Sequence, residues 1–419
     1  MSQYDWCSSN TACAYFHIDG VADHGICGFE DIPCSELTSC ESKNNRCYEF
    51  EHICVHHPRC HNLPVCYPVS MISQQICPPV TTPNVTITTA MPISTITIAK
   101  DTNQEFACFI PVPLRTSATF IPSNATWIQN GISVARGNGR GTEINQFAYP
   151  LGIYVDDVQT VYVADQYNDR IVEWKYGATS GKVVAGGNEG GNETHQLNKP
   201  YDVIVDKVRD SLIICDHGNR RVVRWPRQNG KYGETIISNI SCFGLTMDQN
   251  GFLYVVDTEQ HGVRRYETGD NEGTIVAGGN GKGNYLDQLS NPSHVFVDQY
   301  HSVYVSDYSN LRVTKWEEGA KQGILAAGSQ DEGSTLMQVF YPEGVVVDQS
   351  GTVYVSDRMF NRIIRWQKGA TEGSIVAGGN GEEKQANKFD EPMGLSFDRQ
   401  GNLYASDWRN HRVQKFNIV

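Results

Sequence analysis

Three polar residues stand where a repeated stretch of this sequence otherwise places small or apolar ones. Asp202 follows Pro200, His294 follows Pro292 and Glu343 follows Pro342, at positions that sibling segments fill with Gly, Leu, Phe or Met. An imidazole and two carboxylates gathered at one mouth have the chemistry to hold a metal ion or polarise a substrate. The same side chains spread around a solvated rim would do neither. Cysteine supplies a second set of candidates. Ten of the 13 cysteines lie between Cys7 and Cys77, followed by Cys108, Cys215 and Cys242. Such density in a short segment is the pattern of a disulfide framework formed in an oxidising compartment. Within it, Cys54, His56, His57, Cys60 and His61 offer the donors that zinc takes. The surrounding cysteines continue at similar intervals without paired Cys-x-x-Cys knuckles, which favours disulfides.

A repeat must position these residues. The phrase Tyr354-Val355-Ser356-Asp357, followed by Asn361-Arg362-Ile363-Ile364-Arg365-Trp366, recurs around Asp165, Asp216, Asp257, Asp307, Asp357 and Asp407. The separations by subtraction are 51, 41, 50, 50 and 50 residues. A period near 40–50 residues marks a repeat architecture. Each unit holds four short β-branched segments separated by Gly, Asp and Asn turns, with no helical period between them. Four antiparallel strands repeated six times predict a six-bladed β-propeller. Five residues after each Asp stands Arg170, Arg221, Arg312, Arg362 or Arg412, a spacing that closes the turn with a carboxylate–guanidinium bond. Gly262 breaks the pattern in the third blade. Nine residues after each Asp comes a large ring, Trp174, Trp225, Tyr266, Trp316, Trp366 or Phe416, read as packing between blades.

Asp407-Trp408-Arg409-Asn410-His411-Arg412-Val413 and Asp165-Gln166-Tyr167-Asn168-Asp169-Arg170-Ile171 resemble the signature of the NHL-repeat family. The resemblance covers about residues 126–419, with the 41-residue spacing as its main departure. It implies an NHL propeller, and it brings family activities to weigh. Some NHL propellers bind RNA through a basic face, but a net charge of −13 argues against nucleic acid. The related peptidyl-α-hydroxyglycine α-amidating lyases use a three-histidine zinc site on the axis. Here His294 is the only histidine near the start of a first strand, while His217, His261 and His411 fall in outer loops. Gluconolactonase-like propellers need a Glu/Asn/Asp calcium cluster, and no such set repeats. The ubiquitin-ligase NHL proteins carry RING-type Cys/His spacing, which is missing. No cofactor and no resident metal are therefore expected. A metal-dependent lyase or propeller hydrolase stands as the alternative to a binding protein.

The expected organisation is a cysteine-rich disulfide module at 1–79, a Thr/Pro-rich linker at 80–120 and an all-β propeller at 121–419. Four Asn-x-Ser/Thr sequons, at Asn84, Asn124, Asn192 and Asn239, agree with an extracellular, glycosylated chain. No run of 18 apolar residues occurs, so membrane insertion is not expected. The start, Met1-Ser2-Gln3-Tyr4-Asp5-Trp6, has no basic n-region or apolar core, and a signal upstream of it is expected. Cys108 is the odd thiol, open to pairing with the N-terminal module or another chain.

Two further expectations follow from strand order. Gly131-Ile132-Ser133-Val134-Ala135 matches an outermost strand, yet the chain ends after the third strand of blade six, so this early strand should complete that blade and close the ring. Cys215 ends a second strand and Cys242 begins the next blade's first strand; a disulfide or two buried thiols fit there. Loops that enter each first strand and leave each second strand share one face, here called the top. Tyr167, Tyr308, Met359, Phe360 and Trp408 sit in these loops, the side-chain types that dominate recognition surfaces, or else lean into blade interfaces. The function expected is extracellular recognition of a protein, peptide or glycan through that face.

Overall fold

The computed structural model describes residues 121–135, 139–329, 338–379 and 385–419, and the backbone of strands at 13–18, 25–29, 52–56 and 65–68. The chain divides into two compact units, Met1–Pro111 and Val112–Val419. In the first, Cys13–Ile18, Gly25–Phe29, His52–His56 and Val65–Pro68 form an antiparallel sheet, with Cys13–Ile18 between the second and third strands. Cys66 is buried and disulfide-bonded. The remaining cysteines of the module lie outside the residues whose side chains are described, as does the Asn84 sequon.

The second unit is a ring of six four-stranded antiparallel sheets. Five blades run through 150–186, 200–238, 242–278, 292–328 and 342–378; the sixth joins 392–416 to Ile132–Ala135. Burial falls from the axis outward. The first strands Pro150–Val155, Pro292–Val297, Pro342–Val347 and Pro392–Phe397 are buried along their whole length, whereas outer strands such as Thr274–Gly278 begin exposed. That gradient explains why the inner segments read as unbroken Val/Ile runs and not as alternating ones. Ile132–Ala135 pairs antiparallel with Arg412–Phe416, in the register Val413↔Ala135 and Lys415↔Ile132, so the early strand closes the ring. Trp127 fastens the seam. It donates Nε1–H to the Gly401 carbonyl at 3.0 Å and packs on Tyr354 and Phe397.

Each repeat Asp is a buried junction. Asp307 accepts from Arg312 Nε at 2.8 Å, from Asn310 at 2.8 Å and from the Ser290 N–H at 2.7 Å. The same Arg312 fork reaches back to the carbonyls of Asn284, Tyr285 and Gln288 in the loop entering the blade. Asp165–Arg170, Asp216–Arg221, Asp357–Arg362 and Asp407–Arg412 repeat the pair at 2.7–2.8 Å. One guanidinium thus ties both top loops of its blade together. In blade three the entering loop is short, so the carbonyls that such a fork would satisfy are missing. Gly262 occupies the arginine position, and Arg264 instead approaches Asp257 at 3.6 Å. A Cys215–Cys242 disulfide, with a Cα–Cα distance of 5.8 Å, joins blades two and three at that place. The aromatic series at 174, 225, 266, 316, 366 and 416 is buried throughout, at 5 % exposure or less.

Candidate binding site at the channel mouth

Three rings of residues converge where the first strands begin. Just before each opening proline stand Tyr149, Lys199, Asn291, Tyr341 and Glu391, all in the left-handed region with φ of 48–62°. Non-glycine residues rarely adopt this conformation. Held so, the pre-proline N–H meets the preceding blade: that of Lys199 donates to Asp169, that of Glu391 to Asn361 and that of Tyr149 to His411 Nδ1. Immediately after each repeat Asp come Gln166, His217, Thr258, Tyr308, Arg358 and Trp408. One and two residues past the prolines come the inner-strand residues. At the second of these positions most blades carry glycine because the backbones nearly touch. A Cβ on Gly344 would lie 2.4 Å from the Met393 carbonyl oxygen. Asp202 and His294 occupy this same crowded position.

The structure brings His294 and Glu343 together and turns Asp202 elsewhere. His294 Nδ1 lies 3.4 Å from Glu343 Oε2, and both side chains are about 2–3 % exposed. Neither His294 nitrogen nor Glu343 Oε2 has a hydrogen-bond partner in the chain. Asp202 is fully buried and accepts from the Leu245 N–H at 2.8 Å, linking the inner strands of blades two and three, and from the Val203 N–H. The three residues are therefore interior groups and not a solvated rim.

Around this pair the mouth is polar but charge-balanced. Arg358 lies 3.6 Å from Glu343 Oε1 and donates Nε–H to Glu391 at 2.7 Å, while Arg409 reaches the other Glu391 oxygen at 2.9 Å. Burial pulls the Arg358 guanidinium down, but Glu343 and Glu391 outweigh it and hold it above its ordinary value. Burial also pushes the Tyr201 and Tyr308 phenols up; proximity to Glu343 pushes both the same way, while Arg358 pulls Tyr308 down. The walls are aromatic. Phe243 meets the His294 ring edge-on at 5.3 Å and Tyr201 at 4.9 Å, and Tyr201 stacks on His217 at 3.8 Å. Trp408 packs on Tyr149 at 4.5 Å, lies under the Arg358 guanidinium and donates Nε1–H to Gln166.

The five aromatic or apolar top-loop residues divide into two groups. Tyr167 and Met359 are exposed at 49 % and 54 %, and Phe360 at 36 %. Tyr308 and Trp408 are half-buried, the former stacked on Tyr341 at 5.0 Å. Sequence reasoning passed over Arg358, Glu391, Gln166 and Tyr149, although the first three differ in type from their siblings at the same repeat position. The two surface clefts of note, one lined by Val183, Trp225 and Tyr232 and the other by Arg220, Asn239 and Glu259, involve none of these mouth residues. Among the described residues no three His, Cys, Asp or Glu side chains are grouped to hold a metal ion.

Strand order and ring closure define a six-bladed β-propeller. The NHL repeat model matches residues 389–416, which include the whole of blade six apart from its closing strand, and this supports an NHL-type propeller. No curated protein matches the sequence. Among solved structures, an auxiliary nutrient binding protein from Bacteroides thetaiotaomicron VPI-5482 aligns with a TM-score of 0.54 at 16% identity, over 70% of this chain and 77% of that one. A structural genomics protein of unknown function from the same organism aligns with a TM-score of 0.53 at 17% identity, over 69% and 76%. An auxiliary nutrient binding protein from Bacteroides ovatus ATCC 8483 gives a TM-score of 0.51 at 13% identity, over 71% and 78%. Identities this low show a shared fold and nothing about the ligand.

Proposed function

We propose that this chain is an extracellular binding protein that recognises a protein, peptide or glycan through the top face of its propeller. The observation that carries the reading is an unevenly furnished face. Exposed Tyr167, Met359 and Phe360 surround a mouth walled by Trp408, Tyr149, Tyr308 and Tyr201, on loops pinned by buried Asp–Arg junctions. Large side chains on a rigid scaffold can bury much area at little ordering cost. A buried disulfide and exposed sequon asparagines at 124, 192 and 239 support an oxidising, glycosylating compartment. Native protein should lose mass on enzymatic removal of N-glycans, and an unchanged mass removes that support. For a zinc lyase, His294 and Glu343 supply two donors where zinc catalysis draws on three protein ligands. These residues do not fit that metal.

The test displays the full chain against arrayed proteins and glycans and repeats the measurement with Tyr167→Ala and Met359→Ala. Each truncation should weaken the bound partner by about 2 kcal/mol, roughly 30-fold, with the melting temperature unchanged. Affinity untouched by both variants would place recognition elsewhere.

A further inference from the structure

One of the two surface clefts is walled by a glycosylation sequon. Asn239, of Asn239-Ile240-Ser241, is exposed and lines an open cleft of about 430 Å³ between blades two and three. The cleft lies where the connection between blades is shortest. Only 239–241 join the outer strand of blade two to the inner strand of blade three, against 187–199, 279–291, 329–341 and 379–391 elsewhere, 3 residues in place of 13. In blade four the longer loop roofs the Asp–Arg junction, with the Asn284, Tyr285 and Gln288 carbonyls over Arg312. In blade three Asp257 and Arg264 form part of the cleft wall instead, and Asp257 is 6 % exposed where the other five repeat aspartates are 0 %. We propose that an N-linked glycan on Asn239 seats its first sugars in this cleft and takes the place of the missing loop. The inference rests on the extracellular reading above, which supplies the glycosylating compartment, and goes beyond it in giving one glycan a structural site.

The modification transfers sugar from an oligosaccharide carried on a lipid diphosphate. A bond forms between Asn239 Nδ2 and the anomeric carbon of N-acetylglucosamine. The bond from that carbon to the diphosphate oxygen breaks, the amide gives up one proton and the lipid diphosphate leaves. Three features fit the linked sugar to the cleft. Asn239 is itself part of the wall, and the Ile240 N–H donates to the Arg220 carbonyl at 3.1 Å, so the attachment point is fixed to the blade two side. The blade three side offers Gln260, Asn271 and Glu272, all exposed, a mixed set of donors and acceptors that matches ring hydroxyls and an acetamido group. The charges on the walls are already paired, Arg220 with Glu259 and Arg264 with Asp257, which suits a neutral ligand. The volume falls within the roughly 300–1,000 Å³ usual for ligand sites. High intrinsic affinity is not required. A covalent tether gives the sugar an effective concentration of millimolar order, so contacts too weak to hold a free sugar keep a linked one seated. Asn124 and Asn192 line neither cleft and serve as internal controls.

The experiment uses the full chain secreted from glycosylating cells. Peptide mapping with and without N-glycan removal should show Asn239 occupied. On native protein, N-glycosidase should free the Asn239 glycan about tenfold more slowly than those at Asn124 or Asn192, as for a sugar seated roughly nine-tenths of the time. Denaturation should abolish that difference. Ser241→Ala removes the sequon but keeps Asn239, which sits at φ 63° where asparagine is favoured, and keeps the Ser241 carbonyl that accepts from Thr258. Glycosylated, this variant should melt about 2 °C or more below wild type, whereas Ser241→Thr, which retains the sequon, should not. In protein made without glycans, Ser241→Ala should melt with wild type, and Asn124→Gln should change nothing in either form. If Ser241→Ala fails to fold, the release rates decide alone. The assignment is overturned if Asn239 carries no glycan while another sequon does, or if its glycan leaves native protein as fast as the others. It is also overturned if Ser241→Ala melts with wild type when glycosylated, or loses as much without glycans. If no sequon carries a glycan, the support for an extracellular chain falls together with this assignment.

Discussion

Replacing Cys215 and Cys242 together by alanine tests whether the propeller relies on a covalent staple where its repeat is weakest. The two cysteines are 27 residues apart in sequence, and both are fully buried. Closing a loop of that length in the unfolded chain lowers its entropy enough to be worth about 3.5 kcal/mol at 25 °C. For a propeller of about 300 residues this corresponds to a fall in melting temperature of about 6 °C. The location gives the prediction its force. Blade three lacks the entering loop that lets the other arginines tie their top loops, and its Asp257 meets Arg264 at 3.6 Å in place of such a fork. The staple therefore does there what a buried arginine fork does elsewhere. Differential scanning calorimetry of wild type and the double variant is the assay. Reductant alone is a poorer test, because Cys66 in the N-terminal unit is also disulfide-bonded and would respond too. A double variant melting within about 1 °C of wild type would refute the reasoning, since the entropic contribution would then be absent.

Other expectations concern the junctions, the seam and pH. Asp307→Ala strands Arg312, which is 2 % exposed, and should cost about 3–5 kcal/mol in urea unfolding. Asp257→Ala removes a longer, more solvated pair and should cost about 1 kcal/mol, so equal losses would contradict the junction model. Trp127→Ala should cost about 3–5 kcal/mol, because the indole is buried at the closing seam; an unaffected melting temperature would show that closure matters little. Burial holds the His217 imidazole below its ordinary value of 6.5, despite the Cys242 carbonyl that pulls it up. The unfolded chain therefore binds that proton more readily, and stability is complete above about pH 6.5 and falls as pH drops below it. His217→Phe should flatten part of that decline between about pH 7 and 5, and an identical slope would exclude His217 as its source.

The fold was legible because the repeat states it six times over. A period of Asp residues, five of the six followed by an arginine and all by a large ring, marks a second strand, its turn and the end of a third strand. The orphan strand at 132–135 and the unfinished blade ending at Val419 imply each other. The site was legible only in part. Repeat position shows that Asp202, His294 and Glu343 are unusual, but not toward which neighbour each side chain turns. At the axis that choice depends on the adjacent blade. Asp202 finds the Leu245 N–H and becomes part of the frame, whereas His294 finds Glu343 and leaves both rims of its ring unsatisfied. Arg358 and Glu391 were hidden for a different reason. Each looks like an ordinary surface charge in sequence, and only ring closure places the loop after one second strand against the loop entering the next blade.

In a ring of near-identical units, structural needs are met by what repeats, and function must come from what does not. The repeated aspartates and large rings are buried in every blade, and each repeated arginine pairs with its aspartate. If the departures were neutral drift, they would scatter over both faces and over all blades. Instead, His294, Glu343, Arg358, Glu391 and Trp408 come from three successive blades and touch in sequence, imidazole to carboxylate to guanidinium to carboxylate, with the indole beneath. A chain of contacts that crosses two blade boundaries cannot be maintained by the packing of any one blade. The three-blade arc from His294 to Trp408 therefore belongs to the ring and not to any single blade.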